Sequence, residues 1–212
     1  QLHLENKTLK CENNHCYDIS KRGYINLLLN PDKATNNPGD SKESLVARKA
    51  YLNKGYYDPI LNQVITCIDE FKHQDDLSIL DLGCGEGYYT QGLKKHFENS
   101  DIYGLDISKI AIDMATRYRK DVTWLVGNSK NIPILDHSLD FICALFTVVN
   151  QDELKRALKE DGYIVHVTAN NQHLIEIKEL IYDEIKVKSE MQKNISNYKV
   201  NKITFNDACD MF

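Results

Sequence analysis

Hydrophobic positions along this chain fall into two regimes. From residue 58 onward they are dense and periodic, whereas residues 1–30 are short-patterned, polar and loop-rich. Ile60, Leu61, Val64, Ile65, Ile68 and Phe71 recur every three or four positions, which sets them on one face of a helix packed on a sheet. Asp58-Pro59 supplies that helix with a capping residue followed by proline at its first position. The pattern then alternates: strand 78–82, helix 87–98, strand 101–106, helix 108–119, strand 122–126, strand 139–146, helix 151–159, strand 163–168 and helix 171–187. Such alternation predicts an α/β fold with a mostly parallel, doubly wound sheet covered on both faces. Ligands of such sheets sit at the carboxyl ends of the strands.

Upstream, residues 31–40 are rich in Pro, Asn and Asp and read as a linker, and Asp40 or Ser41 would cap a helix running to about Asn53. The division expected is a small N-terminal segment, 1–35, and a main domain, 36–212. Beyond about residue 190 the pattern holds one strand, 198–205. No internal repeat or low-complexity tract appears.

With 212 residues the chain has room for one full domain and a small appendage. No apolar run approaches the roughly 20 residues of a membrane span, so no membrane partner is expected. Nothing reads as a signal peptide; the chain opens on Gln1 without Met, so its natural start is expected upstream. Cysteines 11, 16, 67, 84, 143 and 209 are scattered and read as reduced thiols, which implies a cytoplasmic protein. A net charge of −5 disfavours nucleic acid as a partner of the whole chain. The first sixty residues nevertheless carry nine Lys/Arg against seven Asp/Glu, which leaves 17 against 24 for the rest. Any polyanion contact therefore falls to the N-terminal part, with Lys21, Arg22, Arg48 and Lys49 as phosphate contacts or as ordinary solvated charges.

The chemistry concentrates in Leu80-Asp81-Leu82-Gly83-Cys84-Gly85-Glu86-Gly87-Tyr88-Tyr89, which begins as a buried strand and ends as the start of a helix. Glycines at alternate positions let a ligand lie on the main chain, and the following helix start favours an anionic group. Asp106 ends the next strand, where a nucleoside-binding βαβ unit places its ribose acceptor. Glu86 inside the turn would repel a pyrophosphate but can accept from an ammonium group. That favours S-adenosylmethionine, which ends in an amino acid, over a dinucleotide. Gly127-Asn128-Ser129 follows the third strand, where an adenine edge would be reached.

Asp81–Tyr89 with Gly104-Leu105-Asp106-Ile107-Ser108-Lys109 resembles the Rossmann-like class I methyltransferases. More narrowly, the chain resembles the bacterial 23S rRNA (guanine-N1-)-methyltransferases, the ribosomal RNA large subunit methyltransferase A family. This narrower likeness rests on Cys11-Glu12-Asn13-Asn14-His15-Cys16-Tyr17-Asp18, Lys21–Leu27, Pro38-Gly39-Asp40-Ser41, Ala47-Arg48-Lys49-Ala50, Gly55-Tyr56-Tyr57, His173-Leu174 and Leu180-Ile181-Tyr182. It covers roughly residues 2 to 187.

The resemblance implies methyl transfer from S-adenosylmethionine to N1 of a guanine in a 23S rRNA hairpin or a ribosomal precursor particle. It implies a cofactor site at Gly85 and Glu86, shaped by Asp81, Gly83 and Gly87 and touched by Tyr57 and His173. It also implies an N-terminal zinc knuckle, Cys-x2-Cys followed by Cys-x3-His. Its second half is present as Cys11 and His15, and zinc is expected if the first pair lies ahead of Gln1. Cys16 is a replacement ligand only with difficulty, because it adjoins His15. Asp40 is a candidate base for the N1 proton, or simply a helix cap. Loop 146–150 should line the target pocket, although it lacks the proline usual in that family. A homodimer, a small-molecule methyltransferase and a non-catalytic S-adenosylmethionine-binding module remain open readings.

Overall fold

A computed structural model describes residues 2–5, 8–28 and 39–169, together with residues 175 and 180. The expected strand 198–205, most of helix 171–187, most of linker 31–40, His173 and Cys209 lie outside the described residues. Residues 1–167 form one compact unit and residues 168–212 a second.

The first unit opens with three short strands, β1 (Leu2–Glu5), β2 (Thr8–Cys11) and β3 (Cys16–Asp18), paired antiparallel in the order β1-β2-β3. The polar pattern here reads as loop because this small sheet buries neither face fully and so shows no alternation. β4 (Ile25–Asn26) follows, then α1 (Lys42–Leu52) and α2 (Asp58–Phe71). Thereafter come β5 (Ser78–Leu82), α3 (Tyr88–His96), β6 (Asp101–Asp106), α4 (Lys109–Ala115), β7 (Thr123–Val126), β8 (Leu139–Leu145), α5 (Gln151–Ala157) and β9 (Leu158–Val167).

Six of these strands form one parallel sheet in the order β4-β7-β6-β5-β8-β9. β4 joins its edge by pairing Ile25 with Leu125, so part of the N-terminal segment is built into the central sheet. The strands bury both faces by simple alternation. Ile79, Trp124, Phe141 and Cys143 face Val64 and Ile68 of α2, Leu93 of α3 and Ile112 of α4. Their neighbours Leu80, Leu125 and Ile142 face Leu154 and Ala157 of α5. Among the described residues no helix is long and apolar enough to cross a membrane.

Two expectations shift in detail. Ser41 does cap α1, its hydroxyl accepting from the Ser44 N–H at 3.1 Å. Asp58 does not cap α2: it is the first helical residue, and Tyr57 occupies the cap without a side-chain bond. The Asp58 carboxylate is engaged by the Tyr88 hydroxyl instead, which ties α2 to α3. β9 begins five residues earlier than the alternation suggests. Its first part is irregular, with a register shift between Leu139 and Phe141, and is pinned by a 2.7 Å pair between Lys159 and Asp140.

Trp124 packs against bare backbone on β6, where a Cβ at Gly104 would lie 2.5 Å from its ring. Gly104→Ala should therefore cost about 1–3 kcal/mol through overpacking. Urea unfolding is expected to show a lower midpoint at unchanged m value.

Candidate functional site

The carboxyl end of β5 turns back on β6. The amides of Gly83 and Cys84 both donate to the Leu105 carbonyl, at 2.8 and 3.1 Å, and the Gly85 N–H donates to Asp106 Oδ2 at 2.9 Å. Asp106 Oδ1 accepts from the Ser108 N–H at 2.7 Å, and Ser108 caps α4. One carboxylate thus fixes both the glycine turn and the next helix start.

All three turn glycines have positive φ, but they are not equivalent. A Cβ at Gly83 would strike Thr147 Oγ1 at 2.4 Å, and one at Gly87 would strike the Trp124 ring at 2.6 Å. The protein itself fills those two spaces. At Gly85 the nearest atom to a Cβ would be Arg48 Nη1, at 3.5 Å, so this glycine presents bare backbone to a cradle.

Three carboxyl groups gather around the turn, Asp81 and Glu86 buried and Asp106 half-buried. Asp81 lies at the end of β5, 1% exposed, and accepts from Thr90 Oγ1 of α3 at 2.5 Å. Burial pushes its pKa up to about 7, reinforced by the charges of Asp106 and Glu86 and opposed by the Thr90 bond. Burial also raises Glu86 and Asp106, while the Arg48 guanidinium pulls both down.

Tyr57, half-buried at the start of α2, meets Phe146 edge-on with ring centroids 6.2 Å apart. Phe146 is exposed and holds φ 56°, a left-handed conformation that costs an aromatic residue energy and that clusters at functional sites. Loop 146–150 therefore does flank the turn, through Phe146 beside Tyr57 and Thr147 over Gly83. His166 of β9 hydrogen-bonds the Thr147 backbone, and partial desolvation shifts its pKa downward. Asn128 and Ser129 lie half-buried just past β7, with Asn128 Oδ1 accepting from the Lys130 N–H at 3.0 Å.

The other candidates fall elsewhere. Asp40 pairs with Arg48 at 3.2 Å, Arg22 pairs with Asp113 at 3.0 Å, and the Lys49 ammonium lies 4.1 Å from the Tyr118 ring centroid. Three of the four basic residues singled out for phosphate contact thus have partners within the chain; Lys21 is exposed. Cys11 Sγ and His15 Nδ1 meet at 3.3 Å across the turn between β2 and β3. Cys16 Sγ donates instead to the Asn14 carbonyl. A structural zinc site closes with four donors, and among the described residues no third His, Cys, Asp or Glu completes this pair. The described residues alone do not fit zinc.

They do fit S-adenosylmethionine. Bare backbone at Gly85, a strand-end carboxylate at Asp106 for ribose hydroxyls and an acidic residue for an ammonium suit a nucleoside joined to an amino acid. Sequence reasoning places Arg48 among phosphate contacts or solvated charges and Thr147 in a loop lining the target pocket, but not Arg48 over Gly85 or Thr147 against Gly83, and it does not single out His166. Both placements arise only through the fold.

Sheet order and site together define a class I methyltransferase fold. A family model described as "Methyltransferase domain" matches residues 79–162, and a zinc-ribbon model described as "RlmA, N-terminal" matches residues 1–34. A putative S-adenosyl-L-methionine-dependent methyltransferase from Methanococcus maripaludis has the same fold, with TM-score 0.51 and 22% identity over 69% of this chain and 74% of that one.

More narrowly, the chain is similar to 23S rRNA (guanine-N1-)-methyltransferases. It is 30% identical to the putative 23S rRNA (guanine-N(1)-)-methyltransferase YxjB of Bacillus subtilis, over 84% of this chain and 64% of that protein. It is 29% identical to the 23S rRNA (guanine(748)-N(1))-methyltransferase of Streptomyces fradiae, over 83% and 62%. The chain spans just under two thirds of the length of these relatives.

Asp81 gives the site a measurable pH signature. It keeps its proton in the folded protein up to about pH 7, whereas an unfolded Asp ionises near pH 4. Between those values the unfolded state binds fewer protons, so stability falls as pH rises through the window. In urea unfolding at pH 5 and pH 8, Asp81→Asn should flatten part of this decline. Parallel declines in both proteins would show that Asp81 is not the group responsible.

Proposed function

We propose that this protein transfers a methyl group from S-adenosylmethionine to N1 of a guanine in 23S rRNA, as a cytoplasmic enzyme. The observation that carries this reading is the pairing, in one chain, of the cradle at Gly85 with an N-terminal segment matched as "RlmA, N-terminal". A small-molecule methyltransferase has no use for the second feature.

When bound, S-adenosylmethionine supplies an electrophilic methyl group on a sulfonium. Transfer is an in-line displacement, and holding the two reactants in line is the main task of the protein. Asp106 would hold the ribose, Glu86 the ammonium, and Asn128 and Ser129 the adenine edge. Tyr57 and Phe146 offer aromatic faces and edges on which a guanine splayed from an RNA hairpin could stack. Guanine N1 carries a proton that must leave around the transfer. His166 is tied to loop 146–150 through the Thr147 backbone, and its imidazole, with a pKa shifted downward, is a candidate to accept that proton. Asp40, paired with Arg48, is the alternative base.

The test is transfer of labelled methyl groups to 23S rRNA from cells lacking the gene, followed by reverse transcription. N1-methylation removes the Watson–Crick edge, so one new strong stop at a guanine is expected. Asp106→Ala should weaken S-adenosylmethionine binding by roughly 10- to 100-fold, as expected for lost hydrogen bonds to a charged group. Incorporation without a stop at guanine, or none at all, contradicts the reading.

A further inference from the structure

An acidic cradle suits the ammonium and sulfonium of the methyl donor but repels its α-carboxylate. Asp81, Glu86 and Asp106 are all buried or nearly so around one turn, and a further carboxylate placed there needs a cation beside it. Arg48 is placed to be that cation. It projects from α1, which is docked through Leu45 onto Ala111 and Met114 of α4. Its Nη1 lies over the one glycine of the turn whose face the rest of the protein leaves open. Lys49, its neighbour, sits on the Tyr118 ring.

Among the described residues Arg48 makes one ion pair, with Asp40, Nη1 to Oδ2 at 3.2 Å, with both side chains about half exposed. Exposed pairs of this kind are weak and exchange readily. A guanidinium presents a planar fork that matches a carboxylate with two parallel hydrogen bonds. Resting on the methyltransferase reading, we propose that Arg48 anchors the α-carboxylate of S-adenosylmethionine. Asp40 acts as its placeholder, holding the guanidinium over Gly85 until the carboxylate of the donor replaces it. The role of Asp40 is then to preset the anchor, and its capping role passes to Ser41, as observed.

Calorimetric titration with two probes separates this role from a general structural one. The probes are S-adenosylmethionine and its decarboxylated analogue, which keeps the nucleoside, sulfonium and ammonium. The wild-type protein should bind the intact donor roughly 10- to 100-fold more tightly than the analogue. Arg48→Gln should lose that factor for the intact donor and leave the analogue unchanged. Arg48→Lys, which keeps the charge but not the fork, should fall between, and it serves if the glutamine variant does not fold. Asp40→Asn should tighten the intact donor up to a few-fold by removing the competing carboxylate. Equal loss of both probes in Arg48→Gln, or loss of neither, overturns the anchor while leaving the methyltransferase reading intact. A wild-type protein that binds neither probe overturns both.

Discussion

Everything in this site depends on how the tip of β5 is tied to the tip of β6. Two amides of the turn, Gly83 and Cys84, converge on one carbonyl, Leu105, and the next amide, Gly85, reaches the Asp106 carboxylate. These bonds force the chain through left-handed conformations at alternate residues, which only glycine adopts cheaply. Asp106 then accepts from Ser108, so the same carboxylate starts α4. The parallel register of β5 and β6, Leu82 opposite Leu105, brings these groups within reach.

That arrangement explains why the turn is acidic. A cradle built on a strand-end carboxylate, with Asp81 behind and Glu86 within, gathers three carboxyl groups where burial disfavours their charge. Burial raises all three pKa values. The cost is offset locally by the Thr90 hydroxyl, by backbone amides and by the Arg48 guanidinium. A ligand with a positive centre completes that balance, and a pyrophosphate would worsen it.

Much of this was legible in the sequence because its signals are local. Strands 78–82 and 101–106 coincide with β5 and β6, since each is a short run of apolar residues bounded by turn formers. The acidic strand end and the glycine turn belong to one βαβ unit. What could not be read is non-local. The three glycines look alike in sequence, yet Thr147 and Trp124, from distant segments, occupy the space beside two of them. Arg48 lies 37 positions ahead of Gly85 and reads in sequence as a phosphate contact or an ordinary solvated charge. The early start of β9 was hidden by polar residues at a register shift, and the N-terminal strands by a sheet too small to impose alternation. The left-handed Phe146 carries no sequence mark, because aromatic residues seldom adopt that conformation.

The central claim is that a methyl donor lies on the open backbone of Gly85, while Gly83 and Gly87 are glycines for packing. Titration of Gly85→Ala with S-adenosylhomocysteine, alongside its thermal melt, tests this most directly. A left-handed alanine costs only about 1–2 kcal/mol, so the protein should stay folded and melt a few degrees lower. Its affinity should fall at least about ten-fold, because the added methyl group fills the cradle. A folded Gly85→Ala protein that binds S-adenosylhomocysteine as tightly as the wild type would contradict the account.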